Sequence, residues 1–576
     1  MEIYRMRTFT VLFAACLAFG ADKRNTYTPN TDTHFTFAAP ADLQTWEARK
    51  AELRASILFD TGLSPMPPKT PLNPIVAGRI EREGYAIERV AIETLPGYWL
   101  GGNLYLPKGK PGKHPAILHP HGHWTYGRLE SQPLSSPQHF GINLARQGFV
   151  VFAYDMAGYN DTAQTPHDFS TPQYQLWNFT PLGLQLWNSV RVVDYLAARA
   201  DVDPARIGVS GASGGGTQTF LLTAVDDRVA ASAPVNMVSG IMQGGCICEN
   251  APGLRVGTNN IEIAALFAPK PQRLIAATGD WTKNVPREEL PAIRGVYQLY
   301  GKPDLVDAVQ FDSPHNYHQQ SREAVYEFFR RALMPAAPPF RERSVGVEKL
   351  QDMLVWHGRA LPAHAKDFKG VFEEWKAISR RQSAAARPAE IRQRLAQALG
   401  IAGKLTVADN GGVLTYGDGA TVPFNYIDGK APAVLILDGG GIAGAEKSAE
   451  VAKLRSTGRA ILMIDAFQTG TAIAPRDRSH RHFLTFNRSD AAARAADVAA
   501  ALAWLAKKKP GPIEVSAAGN ARYWALFAAA AVTTPVKLAF DAAALDGSDA
   551  VLAQDFFVPG LLRAGGVEAA RRALMK

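Results

Sequence analysis

The chain has 576 residues, of which 47% are hydrophobic and 20% charged, with a formal net charge of +9. That length exceeds one ordinary core, so two or more domains are expected, and the composition is that of a soluble globular protein. The charge is dispersed, with no basic run resembling a nucleic-acid-binding arm, and no apolar run in the body of the chain is long enough to span a bilayer.

The N-terminus differs from the rest. Arg5 and Arg7 precede an apolar stretch at 8–19 that runs into Ala18, Phe19 and Gly20. A charged segment, an apolar segment and a small-residue cleavage site make a signal peptide. Cleavage near Gly20 is expected, which leaves an exported chain, periplasmic or extracellular. Cys16 sits as in a bacterial lipoprotein site, but the apolar residues after it argue against lipid attachment. Only Cys246 and Cys248 then remain. Two cysteines build no disulfide scaffold, a Cys-x-Cys bridge would be strained, and two ligands are too few for a structural zinc site. The positive charge favours anionic polymers such as uronic-acid-bearing polysaccharides, and solubility explains its sign equally well.

Residues 41–63 carry an apolar stripe of Trp46, Leu53, Ile57 and Leu58, which predicts a helix that ends at Pro65. Strands are predicted at 85–92, 98–106, 115–118, 149–154, 206–210, 229–235, 273–277 and 308–311. Helices are predicted at 184–199 and 323–333. This alternation implies an α/β fold, a mostly parallel sheet with helices on both faces. A proline-rich stretch at 334–339 reads as a linker.

The remainder repeats features of the first half. Gly148 precedes Asp155 by seven residues, and Gly458 precedes Asp465 by seven. Pro432 opens an apolar run like that at Pro115, and residues 515–521 echo 209–215 with Gly519 where Ser213 stands. Pro559-Gly560-Leu561 resembles Pro252-Gly253-Leu254. The expected organisation is a signal peptide at 1–20, a first domain at 21–335 and a linker at 336–345. A degenerate, truncated copy without a nucleophile follows at 346–576.

The most informative stretch is Gly-Ala-Ser-Gly-Gly at 211–215. Gly-x-Ser-x-Gly between a strand and a helix marks a nucleophile elbow, which exposes a serine hydroxyl on a tight turn. Serine is a poor nucleophile at neutral pH and needs a base oriented by a third group. In an α/β-hydrolase these follow in the order serine, acid, histidine. Asp280, on a glycine turn after the strand at 273–277, is the expected acid, with Glu249 as the alternative. His315, after the strand at 308–311, is the expected base in preference to His318. The oxyanion hole is expected from the N–H of Gly214 and the loop of Gly122 and His123. His119, His121 and His123 also invite a metal reading, but Trp124 and Thr125 stand where such a site would place further ligands. Trp124, Tyr126, Trp177 and Trp281 are expected near the catalytic edge, where aromatic faces either stack on sugar rings or pack the core.

With these residues assembled, residues 40–333 resemble the α/β-hydrolase superfamily. They are closest to the bacterial acetyl xylan esterase-like branch near the dienelactone hydrolases. The segments that carry the resemblance are His-Pro-His-Gly-His at 119–123, the elbow, 244–255 around the two cysteines, Gly-Asp-Trp-Thr at 279–282 and His-Asn-Tyr at 315–317. The resemblance implies ester hydrolysis with Ser213, Asp280 and His315 as triad and no cofactor or metal. Dienelactone hydrolases use a cysteine nucleophile, so the chain departs from them at Ser213. Acetylated plant polysaccharide such as xylan is the implied substrate. The alternatives are a glucuronoyl or feruloyl esterase and, in another class, a non-catalytic exported carbohydrate-binding or scaffold protein.

Overall fold

The computed structural model describes residues 21–401, 405–417 and 419–575. The expected signal peptide and Cys16 lie outside them. Nine strands form the first sheet: β1 (Ile75–Arg82), β2 (Tyr85–Leu95), β3 (Tyr98–Pro107), β4 (His114–Pro120), β5 (Val150–Tyr154), β6 (Val202–Ala212), β7 (Val229–Val235), β8 (Gln272–Gly279) and β9 (Val306–Pro314). Their order is β1-β2-β3-β5-β4-β6-β7-β8-β9. The β1–β2, β2–β3 and β3–β5 pairs are antiparallel, and all pairs from β5 to β9 are parallel.

Burial on both faces explains the apolar runs. All five residues of β5 are buried. Val150, Phe152 and Tyr154 enter one core cluster, and Val151 and Ala153 enter the cluster on the opposite face. Alternation across a strand under two helical layers produces that split. The helices Pro137–Gln147, Pro181–Ala197, Gly214–Val225 and Gln319–Leu333 supply those layers. The expected first helix runs Leu43–Asp60, with Trp46, Leu53 and Ile57 buried and Leu58 half-buried.

The second half holds a seven-stranded sheet: β10 (Val407–Asp409), β11 (Val413–Tyr416), β12 (Ala420–Ile427), β13 (Lys430–Leu437), β14 (Arg459–Ile464), β15 (Ile513–Ala517) and β16 (Val536–Leu538). Their order is β10-β11-β12-β14-β13-β15-β16. Order and pairing sense match those of β1 to β7 throughout. Gly519, after β15, has φ +52°, close to the +59° of Ser213 after β6.

One buried core cluster contains residues of both halves. Trp375, on the helix Phe368–Ala384, donates its indole N–H to the Trp177 carbonyl at 2.9 Å. Arg563 is fully buried and donates to the carbonyls of Gly62 and Pro65, to Ser379 Oγ and to Gln382 Oε1. The stretch between the helices Gln319–Leu333 and Leu350–Met353 has no regular structure and lies against the first half, where Glu342 pairs with Arg322. The N-terminal strap runs the other way. Arg24 reaches Asp497 in the second half at 2.7 Å, Asn487 donates to the Pro29 carbonyl, and Phe35 N–H meets the Gly240 carbonyl at 2.7 Å in the first half. Among the described residues no helix is long and apolar enough to cross a membrane.

Candidate active site

Ser213 occupies the turn between β6 and the helix Gly214–Val225, with φ +59° and ψ −124°. A serine rarely adopts positive φ, and such strain persists only where the surroundings impose it. Here the crossing of β4 imposes it. A Cβ at Gly211 or at Gly215 would stand 2.3 Å from the Pro120 carbonyl oxygen, so only glycine fits on either side of the serine. Ser213 N–H donates to the Val235 carbonyl on β7, and its own carbonyl accepts from Thr217. The backbone is thereby pinned on both sides, and the half-buried side chain sits at the positive end of a buried helix.

Asp280 and His315 meet because their strands are neighbours. β8 and β9 are parallel, and Gly279 pairs with Pro314, so the next residue of each strand stands beside the other. His315 Nδ1 lies 2.9 Å from Asp280 Oδ2. The other carboxylate oxygen accepts from Thr282, at 2.6 Å from its N–H and 2.5 Å from its hydroxyl. The Asp280 side chain is 2% exposed and that of His315 25%. His315 Nε2 is buried and has no hydrogen-bond partner among the described residues. Trp281 packs on the His315 imidazole at 4.5 Å between ring centroids, and Trp124 stacks on the same ring at 6.2 Å. A Cβ at Gly122 would stand 3.2 Å from Ser213 Cβ and 3.1 Å from Trp124 Nε1. Ser213, Gly122, Trp124 and His315 are therefore contiguous.

The loop after β4 is held by the two histidines that precede Gly122 and His123. His119 Nδ1 bonds the Ser210 carbonyl at 2.7 Å, and its ring stacks on Phe140. His121 Nδ1 donates to the Gly122 carbonyl at 2.7 Å, and its Nε2 accepts from Met156 N–H at 3.0 Å. Burial lowers these imidazoles to about 4 and about 3, so both are neutral and serve as fixed hydrogen-bonding struts. Arg128, buried between Asp155 and Asp161, anchors the far end of the loop. Gly214 opens its helix, and a helix leaves its first N–H groups without internal partners.

No protein-family model matches the chain. A solved structure named Methylesterase BT1017 aligns at 32% identity over 60% of this chain and 78% of its own, with a TM-score of 0.51. The chain belongs to the α/β-hydrolase esterases. A Bacillus subtilis (strain 168) protein carrying the name "Putative hydrolase YtaP" is 25% identical over 296 residues, 47% of this esterase and 96% of its own length. Farther off, a Bacteroides fragilis NCTC 9343 structure described as a "putative acetyl xylan esterase" shares 16% identity over 61% of this chain and 92% of its own, with a TM-score of 0.40.

The remaining sequence candidates of the esterase fall outside the Asp280–His315 pair. Glu249 accepts the N–H groups of Gly245 and Cys246, each at 2.9 Å, and shapes its own loop. His318 caps the helix Gln319–Leu333 by accepting from Ser321 N–H. Trp177 bonds Asp549 at 2.9 Å and lies where the two halves join, away from Trp124 and Trp281. Tyr126 is half exposed. His123 turns its Nε2 to Cys248 Sγ at 3.0 Å. That contact brings in His167, which the sequence reading missed. His167 stands 79 residues before Cys246 with no spacing to connect them, and only the fold brings its Nε2 to 3.5 Å from Cys246 Sγ.

Proposed function

We propose that this esterase is an exported serine hydrolase that cleaves carboxylic esters on plant polysaccharide through Ser213, His315 and Asp280. The observation that carries the reading is the His315–Asp280 pair, with Nε2 left free, next to a serine on a strained turn. Asp280 holds the proton on Nδ1, so Nε2 is the basic nitrogen. His315 takes the Ser213 proton at Nε2 as Oγ attacks the ester carbonyl carbon. The N–H of Gly214 and an N–H of the Gly122–His123 loop hold the oxyanion. The alcohol departs with the proton from His315, and water then cleaves the acyl-enzyme by the same transfers in reverse.

Ser213→Ala is expected to reduce hydrolysis of a simple acetyl ester by more than about 10⁴-fold with the fold intact. Fluorophosphonate labelling confined to Ser213 in the wild type supports the esterase, and full activity of the variant ends this reading. The sequence resemblance points to acetyl esters, and the 32%-identical methylesterase favours a methyl ester. The net charge of +9 favours an acidic polysaccharide. Release of methanol from a methyl-esterified polyuronate, against release of acetate from acetylated xylan, decides between the two.

The second half, on this reading, is a degenerate copy of the first. The shared order of seven strands and the matching φ of Gly519 and Ser213 support it. Glycine at that position keeps the turn and removes the nucleophile.

A further inference from the structure

Three loops at the carboxyl edge of the first sheet converge beside Gly214. His123 comes from the loop after β4, His167 from the loop after β5, and Cys246 and Cys248 from the loop after β7. One nitrogen of each imidazole and both sulfurs lie within 4.8 Å of one another. The two cysteines are free thiols. We propose that His123, His167, Cys246 and Cys248 form a tetrahedral site for a zinc-type divalent ion that fastens the Gly122 loop to the nucleophile turn.

The donor set argues for this ion. Two thiolates and two imidazoles in tetrahedral array suit zinc, with Zn–S near ~2.3 Å and Zn–N near ~2.0–2.1 Å. Those bond lengths put ligand atoms about 3.3–3.8 Å apart. His123 Nε2 and Cys248 Sγ, at 3.0 Å, and His167 Nε2 and Cys246 Sγ, at 3.5 Å, are already near that spacing. The surrounding contacts orient the ligands as metal sites require. His167 donates its other nitrogen, Nδ1, to the Ala157 carbonyl at 2.7 Å, which turns Nε2 toward the sulfurs. Glu249 accepts the Cys246 N–H, and Gln185 donates to the Cys248 carbonyl, so both cysteines are held through their backbones.

Four protein ligands fill a tetrahedral ion, so the site is structural and no step of ester cleavage passes through it. Its effect is on position. His123 follows Gly122 directly, and its Cε1 would lie 2.7 Å from a Cβ at Gly214. Fixing this imidazole fixes the spacing between the two backbone segments that face Ser213. The sequence reading counted two cysteines as too few and set the three clustered histidines aside. The fold takes one of those three, adds His167, and completes the set.

The test is Co²⁺ loading of the full-length protein after removal of bound metal. One ion per chain is expected, with the intense visible bands of tetrahedral cobalt and a thiolate-to-cobalt charge-transfer band. Cys248→Ser and His167→Gln should each abolish the charge-transfer band or shift the visible bands, with unchanged far-ultraviolet circular dichroism for at least one of them. Ser213→Ala should keep the full spectrum, so the site stands or falls independently of the serine mechanism. The proposal is overturned by weak octahedral bands, by spectra that neither substitution alters, or by a mass two hydrogens lighter from a Cys246–Cys248 disulfide.

Discussion

Asp280 acts on His315 through one oxygen while Thr282 occupies the other, so the carboxylate cannot rotate away from the imidazole. Asp280→Asn would keep the shape and exchange an acceptor for an amide that also donates. The proton would then leave Nδ1, and Nε2 would lose its basicity. A fall in kcat of about 10⁴-fold with little change in KM is expected from steady-state kinetics on any accepted ester. At this scale the sequence was informative wherever chemistry depends on chain order. Ser213, Asp280 and His315 each follow a strand, and parallel strands deliver their ends to one edge. The choice of Asp280 over Glu249 also rested on that logic, and Asp280 is the carboxylate on the imidazole. His167 had no such signal. Its loop is irregular, and its neighbours in space are distant in sequence.

Secondary-structure elements were legible in proportion to their burial. β7 runs over the residues expected because all but one of its seven residues are fully buried. β6 begins at Val202, before the apolar run, because Val202 pairs with His114 of β4 ahead of a register shift that resumes at Ile207. β1 escaped notice because it is a half-exposed edge strand with a register shift at Gly78. β10 and β11 are short and bounded by glycines, and their pattern is too brief to stand out. The elbow is the element where sequence and packing agree most closely. Gly215→Ala places a methyl group against the Pro120 carbonyl, a backbone atom that cannot swing aside. A loss of about 3 kcal/mol in urea-induced unfolding is expected, with activity falling in step as β4 and the helix are forced apart.

The whole molecule is bound together by groups that no local pattern announces. Arg563 is buried among acceptors from both halves, and burial lowers its pKa to about 9. Trp375 and Trp177 join the same region. With a core shared in this way, the two sheets are expected to unfold together, and calorimetry should record one transition. Arg563→Ala strips a buried donor from several carbonyl and hydroxyl oxygens and should lower that transition by about 3 kcal/mol or more in stability. Two well-separated transitions in the wild type would contradict the shared core. The sequence indicated a second α/β unit through glycine and aspartate spacing, but not that the two units would share an interior.

The N-terminal strap has a consequence for how the molecule is made. Arg24 is among the first described residues, and its partner Asp497 lies 473 positions later. On a ribosome, that contact has to wait until the polypeptide has emerged as far as Asp497. Loop closure grows only slowly with length, about 0.6 kcal/mol for each doubling, so the delay weighs on timing far more than on final stability. The strap is therefore a late fastening. The body of each sheet can assemble as it is synthesised, and Arg24 is secured only after Asp497 has been made.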